Sequence, residues 1–276
     1  CSPPEDCAKR FCVNGEPKSG TSWLTSIAGE MLRQLALDNP SCAYTYEFKE
    51  KFPGAVHLDH VYHTLACPGR GKVLISDEEK HVIGVTPWHV GKIEFRDAPK
   101  VGDRALQAAV KKTLLHPSRR CQHWLPIFRD PRAVADSECY YTHSQRSGCN
   151  HYMARRVAPL AAWTNLRYRF FAEMIGRGGS EPRAWFTTYP RLHDDLAVEL
   201  QKLSLHTTGL HLSNRALGAL ANHSAPGVRS GSVRTRFRKA TVCGFRDDVT
   251  EREAAALEAT AREALLPPVR DLLLRC

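Results

Sequence analysis

Two short stretches carry residues whose types and spacing could hold anions. The first is NGEPKSGTSWL, Asn14 to Leu24, which follows the apolar run RFCV. Backbone N–H groups from Ser19 to Ser22, at the start of a helix, can cradle an oxyanion. Lys18 adds a cation, and Thr21 and Ser22 add hydroxyl donors. Gly15 and Gly20 keep the spacing of an ATP-binding phosphate loop, and Thr21 follows. That loop needs its lysine after the second glycine, whereas Lys18 precedes Gly20. Trp23, one residue on, has two readings: it packs on a base, or it enters the core at that helical phase. The second stretch is FRDPRAVADS, Phe128 to Ser137. Arg129 stands at the carboxyl end of an expected strand, where ligands collect in open α/β sheets. With Ser137 on the following helix it would grip a second phosphate; the alternative is an Arg-Asp structural pair.

The surrounding elements must hold these residues in place. RFCV reads as a buried strand, and Trp23, Leu24, Ile27, Ala28, Met31, Leu32 and Leu35 recur at helical spacing from Thr21 to about Leu37. Residues 39–70 read as irregular, rich in histidine and aromatics. KVLIS, HWLPIF and RAWFTTY read as strands. GDRALQAAVKKTLL, PRAVADSECYYTH, APLAAWTNLRYRFFAEMI and LHDDLAVELQKLSLHT read as helices, the second with proline in its first turn. TEREAAALEATAREALL opens with a capping box, Thr250 with Glu253. Alternating strands and helices predict a central parallel sheet with helices on both faces, a three-layer α/β/α fold in one domain spanning 1–276. The polar, basic stretch 222–236 reads as a mobile loop.

Bulk properties narrow the partners. The chain is 42% apolar and 25% charged, an ordinary globular balance, and no run reaches the ~18 apolar residues of a membrane span. A start at Cys1 rather than methionine suggests a trimmed or mature piece, leaving room for a membrane anchor upstream. A net charge of +10 favours anionic partners. No zinc-finger pattern and no aromatic-basic RNA-binding motif is present, so nucleic acid is not expected. Ten cysteines without a C-x2-C pair point to disulfides in an oxidising compartment rather than structural zinc, and no metal is expected. Cys12, in the first strand, is expected as a buried reduced thiol. The sequon Asn222-His223-Ser224 points towards the secretory pathway or Golgi lumen, with a cytoplasmic location as the alternative.

PKSGTSW resembles the 5′-phosphosulfate loop of the sulfotransferases, and RDPRAVADS resembles their 3′-phosphate motif. RTRFRKATVCGF is similar to the family's R-K-G loop, with Ala240 in place of the glycine. WFTTYPRL is similar to the family's T-Y-E-[DE]-L strand end; Tyr189 matches, while Pro190 and Arg191 depart from the acidic pattern. The resemblance covers roughly residues 10–38, 120–140 and 184–250. It implies 3′-phosphoadenosine 5′-phosphosulfate (PAPS) as co-substrate, held by Pro17, Lys18, Ser19, Gly20, Thr21, Ser22, Trp23, Arg129, Ser137, Tyr189, Arg238 and Lys239. Sulfuryl transfer then goes to an acceptor hydroxyl or amine, with Lys18 stabilising the leaving oxygen and no metal required.

A general base must take the acceptor's proton. The family uses a histidine in cytosolic members and a glutamate in many Golgi members. His81, after the strand KVLIS and beside Asp77, Glu78 and Glu79, is the first candidate; His89, Glu94, Asp97 and His116 are the others. The acceptor is a glycan, a protein or a small alcohol, and the basic clusters and cysteines favour the first two. Its pocket is expected from residues 39–119 and the helices of 140–180. Two rival readings are a P-loop nucleotide kinase and a non-enzymatic polyanion-binding module.

Overall fold

The computed structural model describes residues 8–15, 20–49, 60–77, 121, 123–143, 149–176, 184–224 and 242–275. In chain order the elements are β1 (Ala8–Asn14), α1 (Thr21–Asp38), β2 (Ala43–Lys49), β3 (His60–Cys67), β4 (Gly71–Ser76) and β5 (His123–Phe128). Then come α2 (Pro131–His143), α3 (Cys149–Gly176), β6 (Thr187–Thr188), α4 (Tyr189–Asp194), α5 (Leu196–Thr208) and α6 (Asn214–Ser224). A 3₁₀ turn (Gly244–Asp248), α7 (Glu251–Ala264) and α8 (Pro267–Leu273) complete the chain.

The six strands form one sheet in the order β2-β3-β4-β1-β5-β6. β1 pairs parallel with β4 and with β5, and β5 with β6. β3 runs against both its neighbours, so the sheet is mixed rather than wholly parallel as expected.

Side chains alternate across the sheet, as a strand's period of two requires. Phe11, Val13, Leu125 and Ile127 join α1, α5 and α6 in one core. Cys12, Trp124 and Phe128 join α2, α3, α7 and α8 in the other. Central strands buried on both faces explain why Phe11, Cys12 and Val13 are apolar in succession. The result is the expected three-layer α/β/α architecture.

Several expectations need correction. Residues 39–70 contain the β2–β3 hairpin, whose register runs from Ala43↔Ala66 to Lys49↔His60. Its alternation in AYTYEFK was present in sequence, but aromatics interleaved with polar residues on an edge strand do not give an apolar run. Cys12 is not a free thiol: it is disulfide-bonded to Cys121, with Cα atoms 5.7 Å apart. The register explains the pairing, because Phe11 faces His123 and brings the entry of β5 beside β1.

Cys42–Cys67 closes the open end of the hairpin and Cys139–Cys149 ties α2 to α3. Among the described residues no cysteine is free.

The expected helix after Tyr189 is two helices that break at Asp195. α3 begins at Cys149, before the expected start, and carries Pro159 within it. The stretch read as a loop from residue 222 begins inside α6. The helix expected at 102–115 lies outside the described residues. The capping box is present: Thr250 N–H donates to Glu253 Oε2 at 2.8 Å, and Glu253 N–H to Thr250 Oγ1 at 3.3 Å.

Candidate active site

β1 and β5 are adjacent strands whose chains leave in opposite directions. β1 leads to α1 on one face and to the hairpin side of the sheet, while β5 leads to α2 and α3 on the other face. This is a topological switch point, and the crevice at the carboxyl ends of such strands is where open α/β sheets bind ligands.

On the β1 side, Gly20 stands before the first turn of α1 with φ at 105°. A Cβ there would lie 2.9 Å from the Tyr189 ring and 3.1 Å from Ile127. Glycine is therefore required twice, by the left-handed backbone and by the ring pressed against it. Gly20 C=O accepts from Leu24 N–H at 2.9 Å, opening the helix. α1 has no side-chain cap and no acid in its first turn. Its first amides and the positive end of its dipole are arranged for an anion. Thr21 is buried and Ser22 exposed.

Trp23 is 6% exposed and packs in the core on the α1 face. Its ring lies 5.0 Å from that of Tyr189.

On the β5 side, the Arg129 guanidinium lies over the Tyr189 ring, 4.4 Å from its centroid. Burial pushes the Arg129 pKa down, opposed by Tyr189, Asp130 and Asp136. A guanidinium held there is favoured by an anion beside it. Asp130 is paired with the next arginine along, Arg132. Arg132 Nη2 donates to Asp130 Oδ2 at 2.6 Å, both groups being buried. Asp130 Oδ1 also accepts from Arg132 N–H at 2.9 Å, capping α2. Ser137 is partly exposed on α2.

Tyr189 opens α4 and is the hub of the crevice. Thr188 caps that helix, its hydroxyl accepting from Arg191 N–H at 3.3 Å. Pro190 fits the first turn, where no amide partner is lost. This helix start accounts locally for the departure at Pro190 and Arg191 from the acidic pattern.

Gly20, Trp23, Arg129 and Tyr189, from separate parts of the sequence, thus meet in one cluster. Pro17, Lys18, Ser19, Arg238 and Lys239 lie outside the described residues, as do the base candidates His81, His89, Glu94, Asp97 and His116. Where the Arg238–Lys239 segment returns, Phe245 is fully buried and stacks beneath Arg132 at 4.7 Å. Asp77 is engaged in extending the hairpin ladder, accepting from Val61 N–H at 2.8 Å.

Two buried groups near this end of the sheet escaped the sequence reading. Arg167, on α3, is fully buried, and its Nη2 donates to Asn14 O and Asn14 Oδ1, both at 3.1 Å. The same nitrogen reaches Ile127 O at 3.4 Å, and the guanidinium lies over Phe128 at 4.8 Å. It therefore ties the carboxyl ends of β1 and β5 together from beneath. Its signal was an arginine four residues from Trp163 and from Phe171, in phase with the core.

The second group is His63, on β3, whose ring packs against Gly29 of α1. Tyr44 shares a 2.8 Å hydrogen bond with its Nδ1. Burial holds His63 at a pKa of about 4, opposed by Asp77 and Glu30, and raises Tyr44 to about 12.

The mostly parallel α/β/α sheet, with Gly20 before α1 at its switch point, is matched in fold by solved structures of sulfotransferases. Retinol dehydratase, in complex with androsterone and inactive cofactor PAP, matches with a TM-score of 0.51 and 13% identity over 95% of this chain and 82% of that one. Mouse sulfotransferase SULT7A1, complexed with PAP, matches with a TM-score of 0.50 and 12% identity over 97% of this chain and 89% of its own. At these identities the likeness is one of fold. No family model matches the sequence, and no curated protein does.

Proposed function

We propose that this chain is a PAPS-dependent sulfotransferase acting on a carbohydrate or secreted-protein acceptor. The observation that carries the reading is the cluster at the switch point: uncapped α1 behind Gly20, with Tyr189 between Trp23 and Arg129. A positive-φ glycine at an open helix start suits the 5′-phosphosulfate end of the donor. Arg129, with Ser137, suits its 3′-phosphate, and Tyr189 lies between the two. Arg238 and Lys239 complete the 3′ grip in this reading, and Lys18 lies in the loop between Gly15 and Gly20.

The donor supplies an activated sulfuryl group. An acceptor oxygen attacks sulfur as the bond to the 5′-phosphate oxygen breaks, in an in-line displacement. Lys18 and the α1 amides stabilise the charge that develops on the leaving oxygen. A base, with His81 as first candidate, removes the acceptor's proton.

Three disulfides support an oxidising, lumenal setting. No helix among the described residues is long and apolar enough to cross a membrane. The basic surplus and the disulfides support a glycan or secreted-protein acceptor over a small alcohol.

A thermal-shift comparison tests the donor reading. 3′,5′-Adenosine bisphosphate should stabilise the protein well beyond ATP, and sulfate should pass from PAPS to the acceptor without magnesium. Stabilisation by heparin alone would identify a polyanion-binding module instead, and magnesium-dependent ATP turnover a kinase.

A further inference from the structure

We propose that Asn222, at the carboxyl end of α6, is a site of N-linked glycosylation. It is the only asparagine of the chain in an Asn-x-Ser/Thr tripeptide without proline at the middle position, the other being Asn39-Pro40-Ser41. His223 occupies the middle position and Ala225 follows Ser224, so no proline blocks the sequence that the transferase reads.

The fold leaves this asparagine room for a glycan. α6 packs on α1 through Ala216 and Leu220, which are fully buried and four residues apart. Asn222 lies two residues beyond Leu220, about 200° around the helix at 3.6 residues per turn, and is exposed. The next residue holds the same turn against α1: His223 Nε2 lies 3.5 Å from Ser26 Oγ. The helix end is thus anchored through His223 while Asn222 stands on the outer face. Asparagines elsewhere are taken up by the structure: Asn14 by Arg167, Asn39 by Leu35 O, Asn150 by Glu253 and Asn165 by Ala264 O.

A second observation supports a lumenal setting, where the glycosylation machinery acts. The disulfides Cys12–Cys121, Cys42–Cys67 and Cys139–Cys149 form one set within the sheet, one at the hairpin and one between α2 and α3. Cys243 is disulfide-bonded as well. Pairing spread over the fold belongs to chains that mature in an oxidising lumen. There the co-reactant is a lipid-pyrophosphate-linked oligosaccharide. The Asn222 amide nitrogen bonds to the anomeric carbon of its first sugar, the carbon–oxygen bond to pyrophosphate breaks, and the amide proton is lost as the lipid pyrophosphate leaves. A helical end in the finished fold is no obstacle, because transfer acts on the chain before it folds.

The inference rests on the lumenal setting and not on the donor reading, so failed sulfation would leave it standing. The test expresses the chain behind a secretory leader in animal cells and treats the secreted protein with peptide N-glycosidase. The expected result is a one-glycan mobility shift that the enzyme removes, with residue 222 read as aspartate by mass spectrometry afterwards. Asn222→Gln and Ser224→Ala should each abolish the shift, while Ser224→Thr should retain it at equal or higher occupancy. Secreted wild-type protein that migrates unshifted, with residue 222 read only as unmodified asparagine, overturns the proposal. Should Asn222→Gln fail to be secreted, Ser224→Thr and the peptide from wild-type protein decide the matter.

Discussion

The starts of α1 and α2 lie side by side at the same end of the sheet, yet they are built in opposite ways. α1 begins behind a positive-φ glycine, with no side-chain cap and no acid in its first turn. α2 begins behind Asp130, whose carboxylate accepts from the Arg132 amide and is locked to the Arg132 guanidinium. One helix therefore keeps its amides and dipole for an incoming anion, while the other has already given its own to the protein. An anion on the α2 side must be gripped by side chains, and Arg129 and Ser137 are the ones offered. The difference teaches that two helix starts at one end of a sheet need not offer an anion the same groups.

The comparison can be broken in graded steps. Asp130→Ala removes the nearer of two carboxylates that pair with the fully buried Arg132 guanidinium, the other being Glu258. It should cost about 3–5 kcal/mol in chemical denaturation, the range for breaking a buried ion pair. A loss below ~1 kcal/mol would show that Arg132 is held by other groups.

Lys18→Ala should lower sulfuryl turnover roughly 10²–10³-fold, as for removal of one oxyanion donor. Donor affinity measured by calorimetry should change less. Near wild-type turnover would remove Lys18 from the chemistry.

Arg129→Ala should weaken bisphosphate binding about 10–100-fold, from the ~1.5–3 kcal/mol of a charged hydrogen bond. Arg129→Lys should recover part of it, because it keeps the charge without the fork. Unchanged affinity in the alanine variant would make the Tyr189 stack its whole purpose.

The smallest effect concerns the hairpin rather than either helix start. Burial lowers the His63 pKa to about 4 from its ordinary 6.5, so the folded state prefers it neutral. Its stabilising contribution is complete above the unfolded pKa and is lost as pH falls from about 6.5 towards about 4. That loss is worth up to about 2–3 kcal/mol. His63→Gln should flatten the acid limb of a pH–stability curve; an unchanged limb would assign it to other groups.

Much of the donor site was legible because its signals are local. Gly20 before an apolar helical period, Arg129 at the end of an apolar run, and Thr250 with Glu253 are patterns within a few residues. Each was found where the residues are described. The hairpin was harder, since the edge strand β2 with Tyr44 and Tyr46 and its neighbour β3 with His63 mix apolar and polar character in short compass. Arg167 was hidden for a related reason: an arginine at a core phase discloses its role only through its acceptors, Asn14 and Ile127.

By itself the sequence determined the alternation of strands and helices, and the order of the two stretches proposed to hold anions. Backbone propensity and hydrophobic period act over a few residues and need no fold to be read. Tertiary structure alone decided that β3 runs against its neighbours and that Cys12 takes Cys121. It also decided that Asp130 belongs to Arg132, and that the Tyr189 ring closes on Gly20. Those outcomes depend on which distant segments share a strand register or a core, and packing, not local pattern, selects among them.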